Sequence, residues 1–274
     1  MRWLLQLGWL QGILGLKSML IDRGMLITDF FLATLIPFVI QYLIWTNVFE
    51  SSNRVEIQSF TQIQLCFYFA YVLTIGRLSN GYDVIRYFAE DVREGNFELR
   101  LIRPMPFPWQ RLWVFLGESS IYLVAVLCVM GIHLGFLLRN EAGFVLSSKP
   151  LWCVAGLFLL LLSQCLCFAL SFLFACCAFW TVRSDMMLQL SIILPGSLGG
   201  ILIPPSFWPS FLKPIMHWNP YRFIIAGPAE FLVSPSWRVF NEIFVGSLVY
   251  ILVIGMIARW AWYRGIRRAE GIGG

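Results

Sequence analysis

The sequence predicts an all-α membrane protein with six transmembrane helices. Its 274 residues are 59% hydrophobic and 13% charged, whereas a soluble globular domain is roughly 45–50% apolar and about 25% charged. The same composition excludes a disordered chain, which needs low hydrophobicity and high charge. The charges leave long apolar runs free of Asp, Glu, Lys and Arg, at residues 30–49, 57–76, 119–138, 150–182, 186–212 and 243–258.

These runs give the spans in chain order. A helix needs about 20 mostly apolar residues to cross a bilayer. The predicted spans are residues 24–49, 57–79, 111–138, 150–181, 185–203 and 241–263. Pro204 and Pro205 end the fifth span. The sixth reaches the required length because Arg259 can extend its charge to the interface, beside Trp260.

The basic residues set the predicted orientation. With the amino terminus inside, most of the 20 Lys and Arg residues fall in cytoplasmic segments, as the positive-inside rule requires. We therefore expect both termini in the cytoplasm and the chain in the plasma membrane, the inner membrane of a bacterium. Because the basic residues stand at the ends of apolar runs, membrane lipids are expected partners and nucleic acid is not.

The segment before the first span, residues 1–23, has a helical pattern of its own. Trp3, Leu7, Leu10 and Leu14 recur at helical spacing, and Lys17 is among the polar residues that interrupt them. This pattern predicts an amphipathic helix lying in the cytoplasmic interface. A frayed polar leader is the alternative.

Residues 80–110 form a charged segment between the second and third spans. Val84, Ile85, Phe88 and Val92 line one face of a short helix whose other positions are mostly charged, and Gly95 stands where a left-handed cap is expected. A second short piece follows before several prolines. This composition favours a surface that docks a partner, and the alternative is a solvated loop that only enforces topology.

The external segment 204–237 is proline-rich and aromatic, too apolar for an aqueous loop and too interrupted for a span. It predicts short re-entrant helices that pack over the spans as a lid, because irregular backbone at membrane depth must be buried in protein. A plain interfacial hairpin is the alternative.

The fifth span carries a proline and several glycines and is expected to bend. The residues expected to act as a gate or interface are Pro195, Gly196, Gly199, Gly200, Phe207 and Trp208.

Few ionisable residues fall within the spans. Asp29 and Glu118 lie near span ends, where either interfacial placement or a polar contact inside the bundle would explain them. For His133, a contact with a neighbouring helix and a proton relay are the two alternatives.

The sequence offers no nucleophile–base pair, carboxylate dyad or metal cluster, so an enzyme is not expected. The seven cysteines all lie in apolar runs, where they are expected to pack.

Three stretches resemble one family. Residues 91–104 read DVREGNFELRLIRP, residues 204–209 read PPSFWP, and residues 267–273 read RRAEGIG. They are similar to the permease subunits of the ABC-2 type transporters, which have a type V exporter-like membrane domain. The family usually has an aromatic residue where Ala269 stands.

The resemblance implies the function and the partners. Residues 1–23 would be the connecting helix, and residues 82–103 the coupling helix region that docks into a separate ATP-binding subunit. A second permease would complete the path, as a homodimer or a paralogous heterodimer. The expected docking residues are Ile85, Phe88, Asp91, Arg93, Glu94, Gly95, Phe97 and Leu101.

The chain itself has no G-x-x-x-x-G-K-[ST] phosphate loop, so ATP and Mg²⁺ are expected on the partner and no cofactor on this chain. An ATP-driven exporter subunit is the leading hypothesis. The alternatives are an ion-gradient-driven secondary transporter, which would show inverted repeats and intramembrane carboxylates, and a membrane scaffold without transport.

Overall fold

Helices account for nearly all of the described chain. The computed structural model describes residues 2–21, 23–52, 54–58, 60–95, 104–140, 149–181 and 185–270. The α-helices are α1 Arg2–Ile21, α2 Arg23–Phe30, α3 Ile36–Ser52, α4 Gln62–Leu78, α5 Tyr82–Arg93, α6 Phe107–Asn140, α7 Lys149–Cys176, α8 Asp185–Leu198, α9 Lys213–Trp218, α10 Gly227–Val233 and α11 Trp237–Glu270.

Shorter elements connect these helices. A π-helical turn, Phe31–Leu35, joins α2 to α3, and a second one, Arg222–Ala226, precedes α10. A small antiparallel hairpin, β1 Glu56–Ile57 and β2 Phe60–Thr61, precedes α4 and pairs Glu56 with Thr61. Thr61 then caps α4: its hydroxyl accepts from the Gln64 amide, and the Gln64 side chain accepts from the Thr61 amide. The described residues also contain two 3₁₀ turns, Cys177–Phe179 and Pro205–Phe207.

Five helices of the described chain are long and apolar enough to cross a membrane: Trp3–Ile21, Leu26–Ser52, Phe107–Arg139, Leu151–Phe179 and Trp237–Arg268. The predicted spans 57–79 and 185–203 coincide with α4 and α8, which have 17 and 14 residues. Both helices are shorter than the roughly 20 residues of a full crossing. Helix α4 is short because the hairpin occupies its expected beginning, and α8 because its helical path ends at Leu198.

Helix α1 does not have the separate polar and apolar faces that the sequence predicted. Its exposed apolar side chains, which include Trp3, Leu5 and Leu10, are spread around the helix. The packing face is made by small residues instead. A Cβ on Gly12 would lie 3.4 Å from the Trp113 carbonyl oxygen of α6, and a Cβ on Gly117 of α6 would overlap the Gly12 carbonyl. Glycine thus lets the two helices approach closely.

Helix α4 is the centre of the main core. It buries Tyr68, Phe69, Tyr71 and Val72 among other side chains, and it packs against α3, α6 and α10. Helices α7 and α11 pack along each other, and α5 packs across α7 and α8. A second, smaller core lies under α5 and contains Ile85 and Phe88. The bundle therefore has a separate apolar anchor for the strongly amphipathic helix α5.

The contact between α1 and α6 gives a stability prediction. Gly117→Ala places a methyl group against the Gly12 carbonyl, and such overpacking costs about 1–3 kcal/mol. We expect a lower thermal midpoint for unfolding in detergent. Gly131→Ala, on the same helix but with open space around it, is the control, with an expected neutral or slightly higher midpoint. Equal midpoints for the two variants would contradict the close approach.

Candidate functional site

The corner between α4 and α5 is fixed to α7. The side-chain amide of Gln164 donates to the Ser79 hydroxyl at 2.7 Å, and the Cys167 thiol donates to the Ser79 carbonyl at 3.2 Å. Gly81 lies so close to Ser171 that a Cβ would overlap its side chain. These contacts hold the beginning of α5 against a long apolar helix.

Further along α5, Phe88 enters an aromatic cluster. We define the cluster as Phe88, Phe107, Phe172, Phe179 and Trp262. The ring centroid of Phe88 lies 5.5 Å from Phe107, 6.2 Å from Phe172, 5.2 Å from Phe179 and 6.0 Å from Trp262. Phe107 begins α6, Phe172 belongs to α7 and Trp262 to α11. One side chain of α5 therefore touches three long helices.

The polar side of α5 is tied to α6 as well. A terminal nitrogen of Arg111 donates to the Asp83 carbonyl at 3.1 Å, and its guanidinium lies 5.1 Å from the centre of the Tyr87 ring. Burial raises the pKa of the Asp83 carboxyl, while Arg86 and Arg111 oppose that rise. Arg86 also pairs with Glu90 at 3.1 Å, one helical turn away.

The predicted docking residues fall into different environments. Ile85 and Phe88 are each 1% exposed, and Asp91 is also buried, so the apolar stripe of α5 faces this chain's own bundle. An amphipathic pattern shows that a face is covered but not what covers it. Arg93, Glu94 and Gly95 are exposed at the end of α5.

Gly95 has the left-handed conformation that the sequence predicted, with φ of 72°. Phe97 and Leu101 lie outside the described residues.

The outward surface of α5 is polar. Arg86, Arg93 and Glu94 are exposed on it, and Tyr87, Glu90 and Val92 are half-buried.

The predicted gate residues belong partly to the core. Gly200 has φ of 81°, and a Cβ there would come within 2.6 Å of the Tyr68 hydroxyl, which itself donates to the Gly200 carbonyl at 3.1 Å. A Cβ on Gly199 would overlap the Pro195 carbonyl, whereas Gly196 has open space around it. Close packing thus accounts for Gly199 and Gly200.

Phe207 packs edge-on against Trp45 with centroids 4.8 Å apart, and Trp208 is half-buried.

Pro195 and Gly196 line a cavity of about 360 Å³ whose other wall includes Asp29 and Arg77. These two side chains form an ion pair, and the Tyr122 hydroxyl donates to the Asp29 carboxylate at 2.9 Å. Asp29 therefore makes a polar contact between helices, which is one of the two alternatives.

The other intramembrane candidates have simpler surroundings. His133 is buried, its Nδ1 lies 3.1 Å from the Tyr71 hydroxyl, and its ring stacks on Phe67. This is the contact with a neighbouring helix that one alternative described. Glu118 is half-buried on α6.

Sequence reasoning missed a charge cluster around a buried arginine, defined as Arg222, Glu230, Glu242 and His217. Arg222 is 5% exposed, and its two terminal nitrogens donate to Glu242 and Glu230, each at 2.7 Å. The Arg222 backbone amide also donates to the Asn219 side chain at 3.0 Å. The π-turn, α10 and the beginning of α11 are thereby joined through one guanidinium.

Burial raises the pKa of Glu230, and Arg222 opposes that rise. Burial also works against the charge of Arg222, but the two carboxylates outweigh it and raise the pKa of the guanidinium. Arg222, Glu230 and His217 of this cluster line a cavity of about 640 Å³ together with Lys213 and Trp218. The sequence signal for this cluster was an arginine in an apolar, proline-rich segment. Its carboxylate partners lie 8 and 20 residues away, so they form no local motif with it.

The long apolar helices and the amphipathic helix α5 that packs against them define a multi-pass α-helical membrane protein. The family model described as ABC-2 family transporter protein matches residues 24–273. The chain belongs to this family, and the resemblance drawn from its three sequence stretches is confirmed. Helix α1 precedes the matched range. No curated protein matches the chain.

The aromatic cluster predicts a large loss of stability on truncation. Phe88→Ala leaves a cavity between α5, α6, α7 and α11, and we expect about 3–5 kcal/mol less stability. The change is measured as the thermal or denaturant midpoint of the detergent-solubilised protein. Phe211→Ala removes a phenylalanine that is 74% exposed and is the control, with little expected change. Similar losses for both variants would contradict the anchoring role of Phe88.

The charge cluster gives a pH-dependent prediction. Arg222→Gln leaves the half-buried Glu230 and Glu242 without their guanidinium, and the loss of such charged hydrogen bonds costs about 1–3 kcal/mol at neutral pH. Without Arg222, burial raises the pKa of Glu230 further, so the folded state binds protons that the unfolded state does not. The loss should therefore diminish as the pH falls.

Unfolding midpoints between neutral and mildly acidic pH measure this effect. Arg238→Gln, which removes an exposed arginine one turn before Glu242, is the control and should change little across the range. A loss in Arg222→Gln that stays constant with pH would contradict the assignment.

Proposed function

We propose that the chain is the transmembrane permease subunit of an ATP-driven exporter and that α5 couples it to a separate ATPase subunit. The observation that carries this proposal is the two-sidedness of α5. Its apolar side is anchored through Phe88 to α6, α7 and α11, and its charged side is open. A helix that only enforced topology would need no such anchor.

The anchoring supports a mechanism. ATP binding by the partner subunits would draw them together and displace α5. Packed interiors transmit displacement because they are dense and resist compression. A shift of α5 would therefore move the ends of the three long helices together, as a rigid-body change. ATP and Mg²⁺ would be bound on the partner, since this sequence has no phosphate loop.

The proposed topology keeps six spans. Helix α6 has 34 residues, about 51 Å of helix, whereas the hydrocarbon core is about 30 Å thick. Its charge-free part begins at Ser119, so the earlier part can lie outside the core. Helix α1 packs against that earlier part, around Trp113 and Gly117, which supports an interfacial position for α1.

In this topology α4 and α8 cross the membrane. The residues on either side of each helix complete the roughly 20-residue length that a crossing needs. By the positive-inside rule, α5 and both termini would lie in the cytoplasm, and the membrane would be the inner membrane of a bacterium. Residues 204–237, braced by Arg222, would be the re-entrant gate on the outer side. Few residues of the span Leu26–Ser52 are fully buried in one chain, which supports a second permease, identical or paralogous, beside it.

Reversing charge on the open side of α5 tests the proposal. In Arg86→Glu/Arg93→Glu both altered side chains are exposed, so the unfolding midpoint should change little. The amount of ATPase subunit recovered with the solubilised chain should fall about tenfold, because reversing two charges removes the electrostatic complementarity of the contact. Recovery is measured by labelling with an ATP analogue and by the ATPase activity of the eluate.

Arg54→Glu reverses an exposed arginine beside the small hairpin and is the control, with wild-type recovery expected. Equal recovery of the ATPase with all three proteins would contradict docking through α5. Failure to recover any ATPase with the wild-type chain would contradict the proposed function itself.

A further inference from the structure

The last turns of α11 present a face of arginine and aromatic side chains. All of its members are exposed, and residues 259–268 contain no Asp or Glu. With 3.6 residues per turn, these positions fall within about half of the helix circumference. We call this the arginine–aromatic face, and its members are Arg259, Trp260, Tyr263, Arg264, Arg267 and Arg268.

The arginines of this face are already oriented by aromatic rings. The guanidinium of Arg264 lies 4.6 Å from the centre of the Trp260 ring, and that of Arg259 lies 5.5 Å from the Tyr263 ring. Stacking of this kind leaves the edge of a guanidinium, with its fork of N–H donors, available to an anion. Phosphate oxygens match that fork geometry.

The same side of α11 is apolar further towards its beginning. Helical spacing places the exposed side chains Val245, Val249 and Leu252 above Tyr263 and Arg267. Met256 continues this apolar stripe to within a turn of Trp260. In the proposed topology, on which this inference rests, the apolar stripe lies at the depth of the acyl chains, so the face that continues it stands at the level of the lipid headgroups. This continuity favours lipid over a soluble partner.

From this arrangement we infer that the arginine–aromatic face binds the phosphate-bearing headgroups of anionic phospholipids. The opposite side of the same turns contributes Ala258, Ala261 and Trp262 to the core that holds α5. Gly265 there lies against the ring of Phe179. A lipid bound on the outside therefore braces the helix segment on which the aromatic cluster is built, and bound anionic lipid should stabilise the folded chain.

Lipid titration of the purified full chain tests this inference. Phosphatidylglycerol and phosphatidylcholine with identical acyl chains are added to the protein in detergent. The unfolding midpoint and the number of retained lipids, by native mass spectrometry, are measured. We expect phosphatidylglycerol to raise the midpoint and to be retained, and phosphatidylcholine to do neither.

Arg259→Gln/Arg264→Gln/Arg267→Gln should weaken binding of phosphatidylglycerol on the order of 100-fold, since each arginine near an anionic surface contributes about fivefold. Arg238→Gln, beside Trp237 at the other end of the same helix, is the matched control and should bind as the wild type does. Trp260→Leu/Tyr263→Leu keeps every charge and removes both rings, and it should bind roughly tenfold more weakly. This last variant tests the face even where the triple variant does not fold.

Three outcomes would overturn the inference. The first is equal stabilisation by the two lipids, and the second is an unchanged response to phosphatidylglycerol in the triple variant. The third is equal stabilisation by inorganic phosphate at the same concentration, which would indicate an anion site unrelated to the membrane. If the triple variant kept its lipid response but lost the ATPase subunit, the face would be a protein-docking surface.

Discussion

The packing of Phe88 against the ends of three long helices is the contact on which the proposed working of this protein depends. Helix α5 is short and strongly amphipathic, and an isolated helix of its 12 residues would be marginally stable in water. Its apolar side is covered by Phe107, Phe172 and Trp262. The aromatic cluster therefore both stabilises α5 and gives a force on α5 a direct route into α6, α7 and α11.

Helix α11 connects the aromatic cluster to the charge cluster. Trp262 belongs to the aromatic cluster, and Glu242, 20 residues earlier on the same helix, accepts from Arg222 in the charge cluster. At 1.5 Å per residue these positions are about 30 Å apart, which is the thickness of the hydrocarbon core. One rigid helix thus connects the aromatic cluster that holds α5 to the charge cluster that holds the proline-rich segment. A tilt of α11 would therefore move both clusters.

Local patterns in the sequence were enough for several particular conclusions. The charge and apolar periodicity of residues 82–93 predicted α5, and Gly95 was expected in the left-handed conformation that it has. The apolar stripe of α5 was assigned to a partner, whereas Ile85 and Phe88 are covered by the chain itself. Helix α1 was expected to be amphipathic because that prediction used only the spacing of its large apolar residues. Its packing face is made instead by Gly8, Gly12 and Gly15.

By itself the sequence determined the class and the family, because an apolar composition needs no knowledge of contacts to indicate a membrane and the family model matches residues 24–273. Only the tertiary structure decided which surfaces are free. Arg222 meets Glu230 and Glu242 from 8 and 20 residues away, and Phe88 meets Trp262 from still further along the chain. Such pairs leave no periodic trace in a single sequence, since the fold and not the spacing brings them together.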